Sequence, residues 1–201
     1  NGAGIMVYTD KTVVIEDNTV YNNISAGGRD GGGGIYAFAY DNSEVSVFAN
    51  RVFKNTSDRN GGGIVAYACR VADNTVSENT AQDSGGVIFA IRCRLSGNTV
   101  HGNQARRGGG IYAENGQLEG NIAYGNAAVS DMGGALYYYG DGHIQNNSLV
   151  QTAAAAPAAS TVVVSGNPVI NGNNIIPAAG YALQIQSHSL NTDLDAQNNF
   201  W

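Results

Sequence analysis

Hydrophobic and polar residues alternate one by one in short segments along the chain. Leu95, Leu118 and Ile144 are examples, because each is flanked on both sides by polar residues. A period of two is typical of a β-strand with one buried and one exposed face. The helical period of 3.6 residues is absent from the sequence. The pattern therefore predicts an all-β fold built from short strands.

These strands belong to a repeat that is marked by asparagine. Its motif is an asparagine, any residue, an apolar residue, two further residues and a second asparagine, as in Asn74, Val76 and Asn79. Successive first asparagines are 32, 24, 24, 23, 26, 26 and 25 residues apart. A period of about 24 residues with three short strands is typical of one coil of a parallel β-helix, in which coils pair about 4.8 Å apart. We therefore predict a β-solenoid of about seven to eight coils.

Equivalent asparagines of successive coils are predicted to stack into a structural ladder. Asparagine tolerates left-handed backbone geometry, and its side-chain amide can bond the same amide one coil away. The predicted ladder consists of Asn18, Asn50, Asn74, Asn98, Asn121, Asn147, Asn173 and Asn198.

The strand that follows each glycine run departs from the alternation, as in "IYAFAY" at residues 35–40. Positions counted as outward from the first apolar residue are nearly all hydrophobic, which is typical of a strand covered on both faces. The predicted outer face consists of Met6, Tyr8, Tyr36, Phe38, Val65, Tyr67, Ile88, Tyr112, Leu136 and Tyr138.

Three interpretations of this apolar face are open. A second copy of the chain could pack on it, because large exposed apolar patches usually mark interfaces. A loop of the same chain could fold back over it. Alternatively, the flat faces of the tyrosines could stack on sugar rings.

Composition argues against several classes of function. A net charge of −6 argues against a nucleic-acid partner, because binding to phosphates needs a high density of Lys and Arg. No apolar run approaches the roughly 20 residues that a transmembrane helix needs. The alanine- and proline-rich stretch at 152–161 aligns with the turns of earlier coils, so residues 1–201 are predicted to form a single domain.

The two cysteines are predicted to stack on adjacent coils. Cys69 and Cys93 each lie five residues before a ladder asparagine. A coil spacing of about 4.8 Å lies within the Cα range of a disulfide. Two interpretations are open, a pair of buried thiols that pack as small apolar groups, or a disulfide. Two cysteines without an inward-facing histidine are too few for a zinc site, and we predict no metal and no cofactor.

Ionisable residues offer no clear catalytic pair. No two carboxylates on neighbouring coils stand out as general acid and base. The charged turns before the glycine runs mix both signs, which is typical of a solvated ladder of ion pairs. The best catalytic constellation in the sequence is Lys54, Glu78, His101, Arg70 and Arg94. Catalysis is left open, and the pattern favours a protein that is not an enzyme.

The repeats resemble those of the right-handed parallel β-helix repeat proteins of the pectate-lyase-like superfamily. They are most similar to bacterial secreted repeat proteins and to the repeats of chlamydial polymorphic outer-membrane proteins. The likeness rests on an apolar-x-x-Asn step paired with a Gly-Gly-small-apolar run, here Val76 to Asn79 with "GGVI" at 85–88. The last two coils depart from it, because Thr152 and Ala178 replace the second asparagine. The resemblance implies right-handedness but no single function, since this fold hosts lyases, hydrolases, adhesins and fibre proteins.

We therefore expect an extracellular or cell-surface protein with a structural or adhesive role and no catalytic activity. It would associate with copies of itself through the apolar face, as a subunit of a fibre or surface layer. Unpaired strand edges at the ends of an open solenoid would also favour end-to-end association. The alternative is a carbohydrate-active module, lyase-like, hydrolase-like or sugar-binding, whose outer sheet face contacts a cell-surface polysaccharide.

Overall fold

A parallel β-solenoid is formed by the residues that a computed structural model describes, namely 3–26, 31–40, 43–83, 85–130, 132–151, 160–178, 180–187 and 194–201. All regular structure in these residues is β-strand, and each strand pairs in parallel with the equivalent strand one coil away. The prediction of an all-β parallel β-solenoid is confirmed.

Four sheets run along the solenoid, with eight, eight, seven and five strands. The first sheet contains Ile5–Thr9, Ile35–Ala39, Ile64–Tyr67, Ile88–Ile91, Ile111–Glu114, Leu136–Tyr139, Val162–Ser165 and Leu183–Ser187. The second contains Val13–Glu16, Val45–Phe48, Arg70–Ala72, Arg94–Ser96, Gln117–Glu119, His143–Gln145, Val169–Asn171 and Ala196–Gln197. The third contains Thr19–Tyr21, Arg51–Phe53, Thr75–Ser77, Thr99–His101, Ile122–Tyr124, Ser148–Val150 and Asn174–Ile176. The fourth contains Ile24–Ser25, Thr56–Ser57, Thr80–Ala81, Gln104–Ala105 and Ala127–Ala128. The three predicted strands of each coil are the three longer ones, and the two-residue strands of the fourth sheet are an addition.

The core is a set of apolar columns that run along the solenoid axis. In the first sheet, Ile35, Ile64, Ile88 and Ile111 pair in register and are fully buried. β-branched side chains suit these positions because they pack well on a pleated surface. Identical residues in one column give each coil the same shape, and so each coil fits on the next.

The chain turns between sheets at residues in the left-handed conformation. Asp17, Ala49 and Asp73 have φ values of 53°, 54° and 54°, and each directly precedes an asparagine of the ladder. Such a φ is costly for a residue with a Cβ, by about 1–2 kcal/mol. The cost recurs in several coils, so the interactions at these corners must outweigh it.

The ladder of hydrogen bonds provides that compensation. The backbone N–H and side-chain Nδ2 of Asn74 both donate to Oδ1 of Asn98, at 3.1 and 3.0 Å. The same Nδ2 also donates to the carbonyl groups of Val47 and Ala72, both at 2.9 Å. Each buried amide therefore ties together three strands, and the pattern repeats from Asn18 onwards.

The last predicted member of the ladder is wrong by one residue. Asn173 donates to Oδ1 of Asn199, at 2.9 Å from both its N–H and its Nδ2. Asn198 instead takes the left-handed corner conformation, with a φ of 55°. The corner residue must precede the ladder residue, so in the pair of adjacent asparagines the second one enters the ladder.

A second ladder, formed by the second asparagine of each motif, lies at the next corner. Its members are Asn23, Asn55, Asn79, Asn103 and Asn126. The glycine runs then bring the chain back to the first sheet, where it passes very close to the fourth sheet. A Cβ at Gly62 would collide with the carbonyl group of Thr80, which explains the glycine.

Candidate functional site

The outer face of the first sheet carries two columns of side chains. The column next to the glycine runs, which we call the glycine-side column, contains Met6, Tyr36, Val65, Phe89, Tyr112, Tyr137 and Val163. The column next to the second sheet, which we call the corner-side column, contains Tyr8, Phe38, Tyr67, Ile91, Glu114, Tyr139 and Ser165. Seven of the ten residues predicted for this face lie in these two columns.

Ile88, Leu136 and Tyr138 were wrongly predicted to face outwards. Ile88 and Leu136 pair with Ile111 on either side of it, and all three are fully buried in the core. Tyr138 also faces inwards. Its hydroxyl oxygen lies 2.8 Å from the carbonyl oxygens of both Gly116 and Asp141, which share its one proton, and it accepts the N–H of Gly116 at 3.0 Å. The first apolar residues after these two glycine runs are Val87 and Ala135, but the strands begin one residue later, at Ile88 and Leu136, so a count from the first apolar residue exchanges the two faces.

The glycine-side column is largely covered within the single chain. Tyr36, Val65, Phe89 and Tyr137 are only 3%, 0%, 8% and 7% exposed. Glycines of the preceding turns lie against several of these side chains. Gly32, for example, lies against the Tyr36 ring, where an added Cβ would be 3.1 Å from Cδ2, and Gly85 lies against the Phe89 ring. The expectation of a bare apolar strip is therefore wrong for this column. The interpretation in which the chain covers its own face applies here.

The corner-side column keeps its aromatic rings accessible. Tyr8 stacks on Phe38 with ring centroids 5.5 Å apart, and Phe38 contacts Tyr67 at 5.3 Å. Tyr40 extends the cluster from the end of the strand, 4.7 Å from Phe38. Phe38, Tyr40, Tyr67 and Ile91 line a groove of about 350 Å³. We call this the aromatic groove.

A second groove, which we call the cationic groove, adjoins the first around the corner to the second sheet. It has a volume of about 520 Å³, and its charged lining residues are Arg70, Arg92, Arg94 and Glu44. Ala68 and Arg92 line both grooves, so the two are direct neighbours on the surface. The φ of Arg92 is 56°, which makes it a corner residue with its side chain at the junction.

Cys69 and Cys93 form a ladder of their own at this corner. The N–H of Cys69 donates to Sγ of Cys93 at 3.3 Å, and Sγ of Cys69 donates to the carbonyl of Tyr67 at 3.0 Å. Sγ of Cys93 lies 3.3 Å from the carbonyl oxygens of both Ala66 and Ile91, which share its one proton. This repeats the bonding of the asparagine ladders with thiols in place of amides.

Both thiols are free and buried, as in the first of the two predicted alternatives. The hydrogen bond with Cys93 lowers the pKa of Cys69. Burial raises the pKa of Cys93 well above its ordinary value. Of the two sulfurs, Cys69 therefore has the greater tendency to be a thiolate.

Comparison with known families agrees with this architecture. A sequence profile described as "right handed beta helix region" matches residues 1–149. The chain belongs to this right-handed β-helix family. The match confirms the predicted resemblance and, with it, the handedness. Neither the curated proteins nor the solved structures compared with the chain gave a match.

The catalytic constellation predicted from the sequence is divided between two faces of this β-helix. Arg70 and Arg94 pair side by side in the second sheet and line the cationic groove. Lys54 and Glu78 lie at the corner after the third sheet, where their side chains form an exposed ion pair of 3.8 Å. His101 ends a third-sheet strand and stacks on Tyr124 at 5.0 Å. The five residues therefore do not form one site.

Two observations concern metals and membranes. Among the described ranges, no group of three or more His, Cys, Asp or Glu side chains is placed to hold a metal ion. No helix long and apolar enough to cross a membrane occurs in the part of the chain that the structure describes.

Sequence reasoning missed the role of Arg92 and the aromatic pairs of the third sheet. Arg92 directly precedes Cys93, so its position before a stacked residue could have marked it as a corner. Tyr21 stacks on Phe53 at 5.1 Å, and the guanidinium of Arg51 lies 4.6 Å from the centre of the Phe53 ring. These rings recur three residues after a ladder asparagine, a spacing visible in the sequence.

Proposed function

We propose that this β-helix protein is an extracellular, non-catalytic adhesive solenoid that binds acidic polysaccharide in the neighbouring aromatic and cationic grooves. The observation that carries the proposal is that an aromatic groove and a cationic groove lie side by side and share Ala68 and Arg92. Its extracellular location is supported by the similarity of the repeats to those of secreted proteins.

The two grooves provide the two kinds of contact that an acidic sugar chain needs. Sugar rings present apolar faces that pack on aromatic rings, here those of Phe38, Tyr40 and Tyr67. Carboxylate or sulfate groups on the chain would receive charge-assisted hydrogen bonds from Arg70 and Arg92. Neither arginine forms an ion pair with another described residue, so both guanidinium groups are available to a ligand.

The same lining supports binding without cleavage. Glycoside hydrolysis by a general acid and a general base needs two carboxyl groups at the scissile bond. Glu44 is the one carboxylate among the described residues that line either groove.

The test is a titration of acidic and uncharged polysaccharides against the purified protein at low and moderate salt. We expect binding of the acidic polymers to weaken as salt increases. Tyr67→Ala should raise the Kd roughly fivefold, for a loss of about 1 kcal/mol. Arg92→Gln should raise it by tenfold or more, because a hydrogen bond to a charged group contributes about 1.5–3 kcal/mol.

Matched controls come from the third sheet. Tyr124→Ala removes a stacked, exposed ring, and Arg51→Gln removes an arginine that lies over a ring; both residues are on the third sheet and line neither groove. Neither change should alter the Kd. Equal losses in control and groove variants, or no binding to any acidic polymer, would contradict the proposal.

Self-association is the second candidate, and a different observation favours it. Met6, Tyr8, Tyr40 and Tyr139 remain 43%, 48%, 47% and 48% exposed on or beside the first sheet. Large exposed aromatic residues are enriched at protein interfaces. Electron microscopy with a solution mass measurement should then show filaments or oligomers that Tyr8→Ser and Tyr139→Ser weaken. A monomer at all concentrations would rule out this candidate.

A further inference from the structure

The cysteine ladder lies at the wall of the cationic groove. Cys69 lines that groove together with Arg70, Arg92 and Arg94, although only 4% of its surface is exposed. Cys93 is on the next coil and is 3% exposed. One residue of the pair therefore lies at the wall of an open groove with its side chain in the core behind that wall, and the other lies next to it on the following coil.

The surroundings of Cys69 favour anions. Arg94 is neutralised in part by Glu119, whose carboxylate is 3.2 Å from its guanidinium. Arg70 and Arg92 have no such partner among the described residues, and Glu44 is the acidic residue of the groove lining. The lining therefore keeps an excess of positive charge, which raises the local concentration of small anions and favours the thiolate of a nearby cysteine.

The two sulfurs are placed to react with each other. Sγ of Cys93 is 3.3 Å from the backbone nitrogen of Cys69, so its side chain points towards the preceding coil. Neighbouring coils are about 4.8 Å apart, within the Cα range of disulfides. The equivalent positions on the flanking coils are Val45 and Gly116, neither of which carries a thiol, so each cysteine has one possible partner in its column.

We propose that Cys69 is a site of thiol–disulfide exchange with small anionic disulfides, and that Cys93 resolves the product to a disulfide between adjacent coils. In the first step the Cys69 thiolate attacks one sulfur of the reagent, the reagent S–S bond breaks, and one thiolate leaves. In the second step Cys93 loses its proton to solvent and attacks the Cys69 sulfur, which releases the second thiolate. The two cysteines lose two electrons and two protons, and one reagent disulfide becomes two thiols.

The order of attack follows from access and from ionisation. Cys69 lines the groove, and its pKa is lowered by the hydrogen bond with Cys93, so it is the more reactive thiol. This inference does not depend on polysaccharide binding, because it needs only the arginines and the two sulfurs.

The experiment treats the reduced, folded protein with oxidised glutathione, which carries several carboxylates, and follows the intact mass. We expect the wild type to lose two hydrogen atoms and to retain no adduct. Cys93→Ser should stop with one glutathione attached, and Cys69→Ser should remain unmodified. The wild type should react at least tenfold more slowly with cystamine, a cationic disulfide, and Arg70→Gln should slow the reaction with oxidised glutathione severalfold.

The oxidised protein should also unfold at a temperature higher by roughly 5–10 °C, because the new bond closes a loop in the unfolded chain. Reduction should reverse this shift.

Two results would overturn the proposal. One is a wild type that keeps both thiols while the urea-unfolded chain oxidises under the same conditions, which would make the ladder purely structural. The other is an adduct on Cys69→Ser but not on Cys93→Ser, which would reverse the assigned roles. If the serine variants fail to fold, two rate comparisons still test the proposal. These are oxidised glutathione against cystamine on the wild type, and oxidised glutathione on the wild type against Arg70→Gln. Equal rates in both comparisons would exclude a reaction guided by the arginines.

Discussion

The asparagine ladder should contribute a large share of the stability of the solenoid, and Asn98→Ala tests this directly. Asn98 is fully buried, and its side chain takes part in four hydrogen bonds. Its Oδ1 accepts two bonds from Asn74, and its Nδ2 donates to the carbonyl of Val71 and to Oδ1 of Asn121, both at 2.9 Å. Alanine removes all four bonds.

The magnitude depends on which partners are left without a bond. Nδ2 of Asn74 keeps its bonds to Val47 and Ala72, and Oδ1 of Asn121 still accepts the backbone N–H of Asn98. The backbone N–H of Asn74 loses its acceptor, and the carbonyl of Val71 loses a donor. Each buried group left unpaired costs about 1–3 kcal/mol. We therefore expect a loss of about 2–6 kcal/mol, a large fraction of the 5–15 kcal/mol typical of a folded domain.

Urea unfolding measures this loss as a lower midpoint. With a slope near 2.5 kcal/mol/M, a loss of about 4 kcal/mol moves the midpoint by roughly 1–2 M. Asn174→Ala is the matched control, because Asn174 is an exposed strand residue on the third sheet; its effect should stay within about 0.5 kcal/mol. Equal midpoints for the two variants would refute the assignment of stability to the ladder.

Three further changes test other parts of the fold. Ala49→Gly should stabilise the protein by roughly 0.5–1 kcal/mol in thermal melts, because Ala49 holds a φ of 54° that glycine adopts without strain, and a destabilised variant would contradict this. Tyr138→Phe should cost about 1–3 kcal/mol by leaving buried backbone groups unpaired, whereas Tyr139→Phe, at a ring 48% exposed, should cost almost nothing. Burial also raises the pKa of Tyr138 from 10.0 to about 12. The neutral side chain therefore contributes stability below pH 10, and this contribution is lost as the pH rises from 10 to 12. In Tyr138→Phe, the free energy of unfolding should fall less over this pH range than in the wild type. Asp83→Asn removes partly exposed ion pairs with Arg59 and Arg106 on the neighbouring coils, at 3.7 and 3.8 Å. Urea unfolding should show a loss in the free energy of unfolding below about 1 kcal/mol. A larger loss would contradict the view that the charged turns contribute little stability.

The fold could be predicted from the sequence because every coil repeats the same corner. Asparagines at nearly constant spacing have one simple explanation, which is direct stacking. The outward residues of the first sheet were harder, because a run such as "GGVIFAI" is apolar at every position and its phase cannot be read from the glycines. Counting back from the ladder would have succeeded, since Ile64, Ile88 and Ile111 each lie ten residues before Asn74, Asn98 and Asn121.

The site was less predictable for a spatial reason. The aromatic and cationic grooves bring together residues from two sheets and three coils, and they share a left-handed arginine, Arg92, at the corner. No short motif marks such a junction. The cover over the glycine-side column was equally invisible, because the covering atoms are mostly the backbone of glycine turns, which have no side chain to signal a contact.

The direction of the ladder bonds gives the solenoid an electrical polarity. In the bonds between ladder amides, Nδ2 always donates to Oδ1 of the amide on the following coil, from Asn18 to Asn199. The amide dipoles therefore align along the axis in two parallel rows and polarise one another, as peptide units do in a helix. A coil stacked after Asn199 would meet N–H donors of the ladder, whereas a coil stacked before Asn18 would meet the side-chain oxygen of Asn18, which accepts hydrogen bonds. The two ends of the stack are thus chemically different, and a change to one amide should be felt by its neighbours several coils away.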